Sequence, residues 1–150
     1  VDVYNGTAGK EGWEKITLAS TIGGMVINTA GVTLAHGMEH PASGLKNIVH
    51  GQGLAALTPV IIEASYKGNR EKFSKIARIM GGMTAEDCAT KIRTLLKKLD
   101  LDCTLSDLGI KEEDIPWMAE NCMKVSAAGV MNNPVVFLKE EIAEIYRKAL

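Results

Sequence analysis

The hydrophobic pattern is dominated by residues 16–35, ITLASTIGGMVINTAGVTLA, which contain no charged side chain. A helix that is apolar or small on every side either crosses a membrane or lies at the centre of a domain. This run is rich in Thr, Ser, Asn and Gly, so it predicts a buried central helix and no membrane contact. A second helix is expected from near Thr33, ending between Pro41 and Gly44, where HPASG interrupts the periodicity. A third spans about residues 50–65, kinked at Pro59 and stopped by Lys67-Gly68-Asn69. Phe73, Ile76, Ala77 and Met80 share one face of a helix over 70–80, ended by Gly81-Gly82. Thr84 reads as the N-cap of the next helix, with Glu86 and Asp87 in its first turn. That helix runs to Leu99, with Ile92, Leu95, Leu96 and Leu99 facing inward. Residues 105–110 read as a loop turning at Gly109, and 111–123 as a helix interrupted by Pro116. Residues 127–129 and 132–134 read as loops. Residues 139–150 form a closing helix, acidic at its start and basic at its end, as the helix dipole prefers. No β-alternation is visible, so the fold class is all-α, a multi-helix domain over residues 1–150.

Composition changes this picture little. At 46% hydrophobic and 23% charged residues, a chain of this length can bury a core of its own. The net charge is −1, and basic and acidic residues are interspersed, which excludes an electrostatic footprint for nucleic acid or an anionic membrane. Cys88, Cys103 and Cys122 are far apart and form no C-x-x-C pair, which suits free thiols in a reducing cytoplasm. The chain opens at Val1 in a polar loop, Asn5-Gly6-Thr7, that leads directly into an apolar helix. This reads as a domain excised from a longer protein.

The chemistry concentrates in one place: all three histidines, His36, His40 and His50, fall within residues 36–50. His36 and His40 are four apart and share a helical face. Fourteen residues of unbroken helix would carry His50 roughly 21 Å away, whereas ligands of one ion sit about 2 Å from it. The chain must therefore reverse between them for a shared site, and Pro41, Gly44 and Asn47 supply the break. Histidines on packed helices also serve simply to satisfy nearby carbonyls, so spacing alone leaves a metal site and a structural trio both open. His36-Gly37-Met38-Glu39-His40 also fits H-x-x-E-H, in which both histidines would hold zinc and Glu39 would activate water. That reading needs a further carboxylate ligand, for which Glu63, Glu71 and Glu86 are candidates, and Gly37 and Pro41 weaken its ligand helix.

The wider segment, AGVTLAHGMEHPASGLKNIVHGQGLAALTPVI, closely resembles the signature of the iron-containing (group III) alcohol dehydrogenases. The matching positions are His36, His40-Pro41, Gly44, His50-Gly51 and Pro59. LSDLGIKEEDIPWMAENCMK and NPVVFLKEEIAEIYRKAL are similar to the family's last two helical regions, so the resemblance covers nearly the whole chain. It implies the family's C-terminal helical domain, acting in NAD- or NADP-linked interconversion of an alcohol with an aldehyde or ketone. It further implies that His36 and His50 are two of four ligands to iron(II) or zinc. His40 would be a catalytic histidine that orients substrate or handles protons, and Glu39 receives no chemistry. The remaining ligands would come from an Asp-x-x-x-His helix, and no such motif precedes His36. The N-terminal dinucleotide-binding domain is missing as well, since Gly51-Gln52-Gly53 is a G-x-G with no strand before it. The resemblance therefore predicts that the 150-residue chain is inactive alone and binds metal weakly; oligomeric state stays open, with a homo-oligomer one outcome if excision leaves apolar surface exposed. A zinc peptidase fragment and a non-catalytic helical module are the alternatives.

Overall fold

The computed structural model describes residues 1–150 and contains eight α-helices, two short 3-10 turns and no strand. The predicted all-α class is the class observed. Contacts divide the chain into two units, Val1–Val32 and Thr33–Leu150.

In the first unit, tight backbone hydrogen bonds from Asn5 to Val1 and from Thr7 and Ala8 to Asp2 lead into α1 (Lys10–Ala30). The expectation of a buried central helix is corrected here: no residue of α1 is buried. Trp13, Ile16, Leu18, Ile22, Met25, Val26 and Ile27 are all exposed. Periodicity describes the helix but not its partner, and this unit holds no second helix to cover it. Thr17, Thr21 and Thr29 return their hydroxyls to carbonyls four residues back, so these three hydroxyls are satisfied within the helix itself. No single helix is long and apolar enough to cross a membrane.

The second unit holds the core. Leu34, Met38 and Ala42 repeat every four residues along α2 (Leu34–Lys46) and are fully buried. They pack with Leu57, Val60 and Ile61 of α3 (His50–Ser65), with Ile115, Met118 and Cys122 of α6 (Ile115–Val125), and with Ile142, Ile145 and Tyr146 of α8 (Lys139–Ala149). The Tyr146 hydroxyl donates to the Met38 carbonyl at 2.6 Å inside this core, which satisfies the one polar atom of a large buried ring. A smaller cluster joins Ile62 to Ala77 of α4 (Arg70–Ile79) and to Cys88 and Ala89 of α5 (Asp87–Lys97).

Several boundaries differ from the sequence reading. The second helix does not stop at Pro41 to Gly44 but runs to Lys46. Proline in a helix forfeits the bond to the carbonyl four residues back, here that of Gly37, and burial of Pro41 and Ala42 offsets the loss. Asn47 ends the helix in the left-handed region at φ 53. Thr84 is not an N-cap acceptor. Instead the Asp87 carboxylate accepts the backbone N–H groups of Met83 and Thr84, and α5 begins at Asp87. The stretch expected as one helix from residue 111 is a 3-10 turn over Glu112–Asp114 followed by α6, and Pro116 lies in the first turn of α6 without interrupting it, as its fixed φ allows there. Residues 127–129 are not loop but the opening of the short α7 (Ala127–Met131).

Candidate metal centre

The turn between α2 and α3 is only three residues, Asn47, Ile48 and Val49. It reverses the chain where the histidine spacing demands a reversal. His36 and His40 stand one helical turn apart on α2, and His50 opens α3 beside them. The ring centroids of His36 and His50 are 5.3 Å apart, those of His40 and His50 5.8 Å, and those of His36 and His40 6.0 Å. All three rings therefore meet at one surface of the Thr33–Leu150 unit. His36 is half-buried, while His40 and His50 are exposed.

Beneath the rings lies Glu39, which is completely buried. One carboxylate oxygen accepts the Ser43 hydroxyl and the other meets Nδ1 of His50. The Ser43 oxygen is also 3.0 Å from the Ile48 carbonyl, which ties the carboxylate to the turn. Gly53 makes the room: a Cβ there would sit 2.9 Å from both Cγ and Oε1 of Glu39. The second glycine of the G-x-G thus serves a side chain of α2, whereas a Cβ on Gly51 would meet nothing within 4 Å. Burial, and then the neighbouring His50 and His40, hold the His36 imidazole below its ordinary pKa, with Glu39 pulling weakly the other way. A neutral imidazole is the form that binds a metal.

Two donor sets can be drawn. The ligand atoms that already lie within 4.8 Å of one another belong to Glu39, His40 and His50, a set that leaves out His36. Glu39, however, has both oxygens engaged and no exposure to present to an ion. His36 has a neutral ring within 5.3 Å of that of His50, so the imidazoles fit a metal better than the carboxylate does. The donor chemistry suits a borderline cation such as iron(II) or zinc.

The H-x-x-E-H peptidase arrangement is not what the structure builds. Its water-activating glutamate would have to face solvent, and Glu39 is sealed. Its candidate carboxylate ligands are occupied elsewhere: Glu63 by Arg93, Glu71 by Lys75 and Glu86 by Arg70. The cysteines take no part in the histidine cluster. Burial raises the thiol pKa of Cys88 and Cys103 and pushes that of Cys122 up to about 12. The sequence pattern singles out the three histidines that the structure brings together, but it offers Glu39 only as a water-activating group and does not tie Glu39, Ser43 and Gly53 to His50. The available signal was an acid set between Met38 and Pro41 on the buried side of an apolar helix.

Comparison with known proteins identifies the family. The family described as "Fe-containing alcohol dehydrogenase family, C-terminal" matches residues 2–150. The chain is 36% identical over 144 residues to 1,3-propanediol dehydrogenase of Klebsiella pneumoniae, covering 91% of this chain and 37% of that protein. It is 30% identical over 148 residues to lactaldehyde reductase of Escherichia coli, covering 93% of this chain and 38% of that one. Among solved structures, the iron-containing alcohol dehydrogenase of Thermococcus thioreducens superposes with a TM-score of 0.77 at 29% identity, over 88% of this chain and 35% of its own. The chain thus spans less than two-fifths of the length of these relatives. Matched almost end to end by the family's C-terminal region, it belongs to the iron-containing alcohol dehydrogenases.

Proposed function

We propose that this chain is the metal-binding helical part of an NAD- or NADP-linked alcohol dehydrogenase that interconverts a small alcohol with its aldehyde or ketone. His36 and His50 hold iron(II), or zinc, and His40 is the catalytic histidine. The observation that carries this reading is the meeting of three imidazoles from two helices at one surface, in a chain of this family.

The chemistry such a cation supplies when bound is Lewis-acid polarisation of an alcohol or carbonyl oxygen. The chain's own residues provide the rest. His36, kept neutral by burial and by its neighbours, offers a lone pair. His50 offers a second from the start of α3. His40, exposed and with its ring about 6 Å from both others, is placed to take the hydroxyl proton of a substrate and release it to solvent. A nicotinamide held by a dinucleotide-binding domain, which would lie in the part of the relatives that this chain does not span, would supply the hydride chemistry.

The test is complementation with the preceding portion of the Klebsiella relative, followed by assay of nicotinamide-dependent aldehyde reduction. His36→Ala and His50→Ala should remove bound metal and activity together. His40→Gln should keep the metal, lower kcat at least tenfold and alter the pH profile, as expected of a proton-handling group. The 150-residue chain alone should show no turnover, because a four-ligand shell is half empty and the nicotinamide has no site. Turnover by the chain alone, or an active His36→Ala complex, contradicts the reading.

A further inference from the structure

We propose that Glu39 is a positioning residue: its carboxylate, fixed by Ser43 and housed by the absent side chain of Gly53, holds His50 by Nδ1 and thereby turns Nε2 of that ring outward as the donor atom. The orientation of the ring stands on the geometry alone, whereas the consequence for metal affinity rests on the metal reading above.

A buried carboxylate is expensive unless its oxygens are hydrogen-bonded. This chain nevertheless keeps one at 0% exposure, on the packed side of α2. Three residues from three places in the sequence accommodate it. Ser43, one helical turn further along α2, occupies one oxygen, and His50, across the turn, occupies the other. Gly53 clears a volume that any Cβ would invade at 2.9 Å. The pocket is built for one carboxylate in one position.

The consequence follows from imidazole chemistry. A neutral ring carries one proton, and whichever nitrogen holds it, the other keeps the lone pair. A proton on Nδ1, facing Glu39, leaves Nε2 as the only donor to a cation. It also fixes the ring plane, as carboxylate partners of ligating histidines do. His50 needs such help more than His36, because half of its side chain is exposed. Glu39 acts through His50, not on substrate.

The experiment records long-range proton–nitrogen correlation spectra of the 150-residue chain at pH 8, wild type, Glu39→Gln and Glu39→Ala, and then titrates each with Zn(II). His50 should carry its proton on Nδ1 in the wild type and in Glu39→Gln, whose amide oxygen can still accept. In Glu39→Ala the proton should move towards Nε2, the form an unconstrained histidine side chain prefers, and Zn(II) affinity should fall about ten- to a hundred-fold. An Nε2-protonated His50 in the wild type overturns the proposal. So does a folded Glu39→Ala with unchanged tautomer and affinity, which is what a merely structural pair would give. Should Glu39→Ala fail to fold, the wild-type and Glu39→Gln spectra decide. A wild-type chain that binds no Zn(II) yet shows the tautomer change in Glu39→Ala refutes the metal reading while leaving the positioning role standing.

Discussion

At the scale of single residues, the centre depends on volume as much as on charge. Glu39 and Gly53 are complementary, one buried carboxylate and one absent methyl. Gly53→Ala should therefore push the carboxylate off His50 and destabilise the fold by about 1–3 kcal/mol, the usual penalty of overpacking a filled site. The same substitution in a Glu39→Ala background meets empty space and should be neutral or stabilising, since alanine is also the better helix former. Urea unfolding of the four proteins gives the coupling energy directly. Equal effects of Gly53→Ala in the two backgrounds would show that the close approach carries no energy. The histidines were legible in the sequence because three of one rare residue type crowd a short segment. The carboxylate beneath them was not, because its role depends on a partner eleven residues away across a turn and on a glycine that only makes room.

At the scale of elements, legibility followed the length and purity of the hydrophobic pattern. The limits of α3 were readable because His50 to Ser65 is a sustained apolar run between clear breakers. α8 was readable because its apolar stripe and end charges agree. α7 is one short turn containing glycine and left no periodic trace. The end of α2 was misplaced because proline was read as a stop, whereas the stop is the left-handed conformation of Asn47. That residue sets the turn that returns His50 to His36, and its N–H caps the Ser43 carbonyl at 2.8 Å. Asn47 is exposed, so substitutions there test backbone conformation with little confounding from packing. Asn47→Gly should hold or raise stability by a few tenths of a kcal/mol, and Asn47→Val should lower it by about 1–2 kcal/mol, because a β-branched residue resists positive φ. Thermal melts of both variants check this. A neutral Asn47→Val would mean that the turn does not need the left-handed residue.

At the scale of the whole molecule, apolar surface is distributed unevenly. Every residue of both buried clusters lies between Leu34 and Leu150, and that unit satisfies its own buried side-chain polar atoms. The fold of the centre therefore needs nothing from residues 1–32. α1 is the opposite case: a long helix whose apolar side chains are all in water, with Leu18 at 61% and Met25 at 65% exposure. An exposed run of that kind is a site of association. We expect the 150-residue chain to self-associate with concentration, its sedimentation coefficient rising over the micromolar range. A version comprising residues 33–150 should stay monomeric and unfold in one cooperative transition, because the cores are intact. The Cys122 thiol, pushed up to about 12 by burial in that core, should remain unreactive to alkylation at pH 8 in both forms until the unit unfolds. Reactivity that appears on truncation would show that the core of residues 33–150 does not hold on its own, and a full chain that sediments as a monomer at every concentration would show that the apolar side chains of α1 are not the association surface argued for.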